Sequence, residues 1–303
     1  MIDRPTILVA GATGSIGGAA ALALAKRGAD VVLLGRRPDR LEARASRIRT
    51  ELAAGDSVAA GDSVEADDGM ATDIATLVID FADMASVRRA AAEALERFPR
   101  LDGLVLSVGA YLEGGPNILP DGHEAMFATN VMGPFLFTEL LLDRLAQSGG
   151  LVLHVIAPFE KEIDWNDLES IEHHGTMTAY NRTKVFNRAI AGETARRYAG
   201  RISSVAFNPT YVIDKSDPTL ADRWPTGFMG FWWKLMTLLF ARKPAVAGEP
   251  IARLMLRHDD RAALNGALFR LDRRIRKPDR AMNDEAMGGK LWDELVVRTR
   301  AAV

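Results

Sequence analysis

Tyr180 and Lys184 are the residues of this sequence whose types and spacing point most directly to chemistry. They stand four apart in Ala179-Tyr180-Asn181-Arg182-Thr183-Lys184, a segment that reads as a helix, so both side chains project from one face. An ammonium beside a phenol favours the phenolate and lowers the phenol's pKa. A tyrosine so placed is usable as an acid or base near neutral pH. The spacing alone is weak: with four Tyr and eight Lys among 303 residues, chance supplies such a pair in roughly one sequence of ten. Its meaning depends on the elements that position it.

The first of these elements is Gly11-Ala12-Thr13-Gly14-Ser15-Ile16-Gly17, between an apolar run and an alanine-rich stretch. Glycine lets the backbone turn sharply and approach a pyrophosphate. The following helix offers its free N–H groups and partial positive charge to the anion. A glycine motif carries weight only between a strand and a helix of a βαβ unit, which is its context here. The second apolar run ends in Leu34-Gly35-Arg36-Arg37. A site for NAD usually places a carboxylate there for the ribose hydroxyls. Two guanidiniums instead suit a 2′-phosphate, so NADP(H) is the expected cofactor. The plain alternative is a solvated basic turn ahead of a helix carrying Arg40 and Arg44.

The remaining pattern alternates strand and helix. Strands are expected at 6–10, 31–34, 76–79, 104–106, 151–156 and 202–207, with a seventh over 266–271; helices are expected to about 27, then over 38–52, 85–98, 124–146 and 178–198. The strands are apolar on both faces, the mark of a parallel sheet covered by helices on each side. Two segments break the rhythm. Residues 53–73 contain the hexapeptide Ala-Ala-Gly-Asp-Ser-Val twice and then acidic residues, which reads as an exposed flexible insertion. Residues 210–248 include an apolar stretch with Phe228, Trp232 and Trp233. It reads as ordinary packing or a subunit contact, as a lid over an apolar substrate, or as a membrane-surface segment. A chain of 303 residues with 48% hydrophobic content suits one α/β domain over residues 1–303. The net charge of −2 argues against nucleic acid or anionic membrane as the main partner. There is no Cys, which excludes disulfides and thiolate chemistry. No leader peptide and no uninterrupted apolar span of 18 residues is visible, so a cytoplasmic protein is expected.

On these residues the chain resembles the short-chain dehydrogenase/reductase family over residues 6–209. The region around Tyr180, with Asn166-Asp167-Leu168 ahead of it, is most similar to the retinol-dehydrogenase and protochlorophyllide-reductase-like branch. The resemblance implies a Rossmann-type doubly wound parallel sheet with a lid insertion after the sixth strand. It implies Tyr180, Lys184 and Asn130 as the catalytic set, Asn130 supporting a proton-relay water. It implies cofactor contacts from Gly11, Thr13, Gly14, Ser15, Ile16, Gly17, Arg36, Arg37, Asp80, Phe81, Ser107, Gly109, Lys184, Pro209 and Val212. No metal is implied, and a homo-oligomer is.

The chain also departs from that family. The glycines fall at 11, 14 and 17, a spacing closer to its extended or atypical members, and Ser107-Val108-Gly109-Ala110 replaces the usual Asn-Asn-Ala-Gly turn. The active-site serine is missing: its position is Val155, Ile156 or Ala157, none of which can donate a side-chain hydrogen bond. Loss of one such donor typically lowers the rate by roughly 10²–10³. His154 is the sole polar side chain of that strand and is either a substitute donor or a satisfied structural histidine. His173-His174 lacks a third ligand at suitable spacing, so no metal is expected there; it reads as a solvated loop or a lining of the substrate entrance. The Asn181-Arg182-Thr183 glycosylation pattern lies inside the active-site helix and is set aside.

The expected function is an NADPH-dependent carbonyl reductase, or the reverse alcohol dehydrogenase, acting on a fairly apolar small molecule. Two alternatives stay open: a non-redox or C=C-reducing enzyme on the same fold, and a binding protein that holds NADP(H) without chemistry.

Overall fold

A computed structural model of the chain describes residues 4–54, 72–159, 162–214, 241–257, 260–277 and 279–301, with residues 232, 234, 235 and 237. Most of the 53–73 and 210–248 expectations lies outside the described residues. The described chain builds one eight-stranded sheet. Its strands are β1 (Thr6–Ala10), β2 (Asp30–Gly35), β3 (Ile74–Val78), β4 (Gly103–Leu106), β5 (Leu151–Val155), β6 (Ser203–Asn208), β7 (Leu268–Arg270) and β8 (Arg273–Ile275). The spatial order is β3-β2-β1-β4-β5-β6-β7-β8. Seven strands run parallel, and β8 pairs antiparallel with β7 at the edge. The seventh strand is therefore shorter than expected and turns back as a hairpin. Its tight turn holds Leu271 at φ 52°, a conformation that no apolar pattern announces.

Helices cover both faces. On one side lie α1 (Ser15–Lys26) and α2 (Pro38–Ala53), and on the other α3 (Met84–Arg97), α5 (Gly133–Gln147) and α6 (Thr176–Arg197). The short α4 (Ala125–Phe127) leads into α5 through a π-helical turn, Ala128–Met132. The later helices are α7 (Ala245–Met255), α8 (Arg261–Leu264), α9 (Arg280–Asn283) and α10 (Glu285–Ala301). Strand residues alternate between two apolar cores: Leu8, Leu104 and Val152 face one, and Ile7, Val105 and Leu153 the other. That double burial is why the strands read as continuous apolar runs. Alanines let helices approach closely; Gly248 of α7 sits against the backbone of Ala19 in α1, where a side chain would not fit. The span Ala125–Gln147 is long and apolar enough to cross a membrane, yet 83% of its most apolar window is buried inside the protein.

The strand order reverses between β1 and β4. In such sheets ligands bind in the crevice beyond the carboxyl ends of the strands at the reversal. Gly11 follows β1 and Ser107 follows β4, so their loops meet there.

Candidate active site

Gly11 takes φ 75°, and a Cβ on it would lie 2.5 Å from the Ser107 carbonyl oxygen. A Cβ on Gly17 would strike the carbonyl of Gly11. The turn is thus folded back on itself, with Gly14 N donating to Gly11 O at 2.9 Å. Gly14 caps α1 without any side-chain hydrogen bond, which leaves first-turn N–H groups open to an anion. Arg44 of α2 braces the turn by donating to the Thr13 carbonyl at 3.3 Å. A cradle with this curvature, an uncapped helix and no side chains in its floor fits a dinucleotide pyrophosphate.

Arg36 and Arg37 are both exposed just past β2. They are not equivalent. Arg37 is held by Asp39 through Nε at 3.2 Å and a second nitrogen at 2.7 Å, and Asp39 brings a negative charge to the spot. Arg36 has no hydrogen bond or ion pair among the described residues. The Asp80 carboxylate accepts from Ala82 N at 3.0 Å and so shapes its own turn. The Phe81 ring points into the core, edge-on to Phe137 at 5.9 Å, because Gly133 packs on its backbone.

The catalytic candidates converge at the end of β4. A Cβ on Gly109 would lie 3.3 Å from Lys184 Nζ and 3.8 Å from Tyr180 OH, so both groups sit over one bare backbone position. Lys184 Nζ donates to the Val108 carbonyl at 3.2 Å and lies 5.3 Å from the centre of the Tyr180 ring. Asn130, in the π-helical turn, grips the next residue from both sides. Its Oδ1 accepts from Ala110 N at 2.7 Å and its Nδ2 donates to Ala110 O at 2.9 Å. Nδ2 also reaches Thr183 Oγ1 at 3.4 Å, linking α6 to the same knot. The continuous helix expected over 124–146 thus contains a π turn at Asn130. The side chain of Asn130 holds the loop that receives Lys184, with both Nδ2 hydrogens engaged and one acceptor position left on Oδ1.

The electrostatics run opposite to the expectation for the phenol. Burial raises the Tyr180 pKa, and nearby Tyr111 raises it further. Lys184 is 4% exposed, and burial lowers its pKa to about 8. Desolvation is the leading cause at both groups because both are buried. Tyr180 is therefore a firm phenol at neutral pH, primed as an acid, while Lys184 titrates just above neutrality.

Of the serine-position candidates, Val155 packs in the core with α1 and α7, and Ile156 is buried against Ala191, Ala206 and Met282. Ala157 is half-buried just after the strand. His154 is fully buried, and its Nε2 has no hydrogen-bond partner among the described residues. Pro209 is buried at the end of β6, and Val212 bridges to Arg242. His173 lies with Asp164 and Asp167, their ligand atoms within 4.8 Å, a grouping the sequence spacing did not suggest. Asp167 accepts from the backbone of Ile171 and His173, so the group closes a turn. Two aromatic neighbours of Tyr180 carried no sequence signal. Tyr111 stands edge-on to Tyr180 at 5.4 Å and Phe159 at 6.5 Å, and they are 43% and 37% exposed.

A model of the short chain dehydrogenases matches residues 5–213. Human retinol dehydrogenase 13 is 28% identical over 97% of the chain and 84% of its own length. Mouse retinol dehydrogenase 14 is 33% identical over 66% of the chain, and the match spans 58% of that relative. Among solved structures, an alcohol dehydrogenase from Thermococcus sibiricus complexed with 5-hydroxy-NADP shares the fold at TM-score 0.60 and 22% identity, covering 91% of this chain and all of that one. A blue fluorescent protein from a metagenomic library, in complex with NADPH, does so at TM-score 0.63 and 20% identity, covering 89% and 97%. With the Gly11–Gly17 turn, the Tyr180–Lys184 pair over Gly109 and the Asn130 grip on Ala110 in one crevice, the chain belongs to the short-chain dehydrogenase family of oxidoreductases.

Proposed function

We propose that the protein is an NADPH-dependent carbonyl reductase, or the reverse alcohol dehydrogenase, for a fairly apolar small molecule. The observation that carries this reading is the convergence of Tyr180 OH and Lys184 Nζ over Gly109. When bound, the nicotinamide cofactor supplies the hydride. Tyr180 supplies the proton to the substrate oxygen, and its raised pKa keeps that proton in place until charge develops. Lys184 holds positive charge beside the phenol below about pH 8 and favours the phenolate left behind. The Gly11–Gly17 turn fits the pyrophosphate, and Arg36, without a hydrogen bond or ion pair among the described residues, favours a 2′-phosphate. The cofactors in the two structural neighbours support NADP(H). Exposed Tyr111 and Phe159, both packed against the Tyr180 ring, favour an apolar, flat substrate.

The test is Tyr180→Phe with a panel of apolar ketones and aldehydes. The variant should bind NADPH as the wild type does and lose at least about 10²-fold in kcat. Full turnover by the variant on a confirmed substrate rejects the reading. The absence of a hydroxyl at Val155, Ile156 and Ala157 favours a second reading, in which the fold performs non-redox chemistry or binding only. Cofactor stoichiometry separates them, since a net reductase consumes one NADPH per product.

A further inference from the structure

His154 is a buried titratable group that this mechanism leaves unused. It stands on β5 opposite Leu106 and Ala206, on the same face as Val152, toward α5 and α6. Its exposure is 4%, and burial lowers its pKa to about 4, so the ring is neutral in ordinary buffers. Nε2 is enclosed and unpaired among the described residues. An unpaired buried nitrogen costs roughly 1–3 kcal/mol, so retaining the imidazole calls for a partner. Beside the ring is a cavity of about 10 Å³, lined also by Val108, Asn130, Pro134, Asn187 and Ile190. That is room for about one water, and His154, Asn130 and Asn187 are the polar residues of its lining. The cavity lies directly behind the catalytic knot. Val108 receives Lys184 Nζ on its carbonyl, Asn130 clamps Ala110, and Asn187 follows Lys184 by three residues on α6.

We propose that His154 anchors a single buried water in this cavity and, through it, fixes the Asn130 turn and the Val108–Ala110 segment that hold Lys184. His154 is then a positioning residue, remote from the substrate, in a strand where the family's serine is absent. The proposal rests on Tyr180 and Lys184 being the acid pair, but part of its test does not depend on turnover.

In the wild-type protein, nuclear magnetic resonance of the His154 ring should show Nε2 hydrogen-bonded and a cross-peak to a long-lived water. A free Nε2 with no such water overturns the proposal even if the enzyme is active. That result also stands if no reductase activity is found, which separates this failure from failure of the functional reading. His154→Leu should lower kcat about tenfold at unchanged KM for NADPH, and move the loss of activity near pH 8 to lower pH by half a unit or more. His154→Asn, which can still bond a water, should restore most of both. A Leu variant that is more stable than wild type, with unchanged kcat and pH profile, shows a dry structural histidine and rejects the proposal. If the Leu variant does not fold, the wild-type resonance measurement decides.

Discussion

Lys184 buries an ammonium with one backbone carbonyl as its hydrogen-bond acceptor among the described residues, and this has a consequence for stability as well as catalysis. Its pKa falls from an ordinary 10.5 to about 8. Between those values the unfolded chain binds the proton and the folded chain does not, so the free energy of unfolding rises with pH across that window. Below pH 8 both states are charged and the full burial penalty, about 3 kcal/mol at ~1.4 kcal/mol per pKa unit, is present. Lys184→Met should therefore stabilise the cofactor-free protein by up to about that amount at pH 7, with the gain vanishing above pH 10.5. Chemical denaturation of both proteins at pH 7, 9 and 11 measures it; a pH-independent difference contradicts the burial argument. The wild type's kcat/KM for NADPH in the reducing direction should decline above about pH 8, since that ratio reports the free enzyme. The arginines give a second prediction at this scale. With Arg37 tied to Asp39, Arg36→Ala should weaken NADPH binding by roughly tenfold or more, and NADH binding little. Arg37→Ala should do less, and equal losses of both cofactors in the Arg36 variant would remove the 2′-phosphate assignment.

Elements hold these residues through a few positions where a side chain cannot fit or a backbone is strained. Thr210 sits at φ 64° after β6, where a β-branched residue is strained, and its buried hydroxyl has no partner among the described residues. Such strain costs of order 1–3 kcal/mol, more than the roughly 0.5–1 kcal/mol of entropy a glycine adds. Thr210→Gly should then raise stability by about 1 kcal/mol, read as a Tm increase of about 2–4 °C by calorimetry. A fall in Tm contradicts the strain. The same scale explains what could be read from sequence. The Gly11–Gly17 turn and the Tyr180–Lys184 pair were legible because their spacing is itself the chemistry. The central parallel strands β1, β2, β4, β5 and β6 were legible because two-sided burial leaves an apolar run. The edge strand β8, with exposed Arg273 and Arg274, has no such run. The π turn at Asn130 is a one-residue slip inside an apolar helix and leaves the hydrophobic pattern intact. The direction of the Tyr180 shift was misread because helical spacing reports which face a residue shares, while burial depends on Tyr111, Phe159 and the loops around them.

At the scale of the whole molecule, the C-terminal segment packs on α6 through Met282 against Gly192, an Arg196 hydrogen bond to the Met282 carbonyl, and a buried ion pair. Arg188 of α6 is almost fully enclosed and donates to Asp279 at 2.7 Å, the residue that caps α9, and to the Phe159 carbonyl at 2.6 Å. Three distant pieces of chain thus meet on one guanidinium: the Tyr180 helix, the loop after β5 and the start of the C-terminal helices. Removing one partner of a buried pair leaves the other charge uncompensated, at a cost of roughly 3–5 kcal/mol. Arg188→Met should therefore lower stability by about that much and also free the Phe159 segment beside Tyr180. Asp279→Asn keeps a hydrogen-bond acceptor for Arg188 and should leave Phe159 in place, so it should destabilise with little change in substrate KM. The two variants separate stability from site geometry: KM for an apolar ketone should rise in Arg188→Met and not in Asp279→Asn. If both variants lose stability and neither alters KM, the link from the C-terminal helices to the substrate crevice is a packing contact alone.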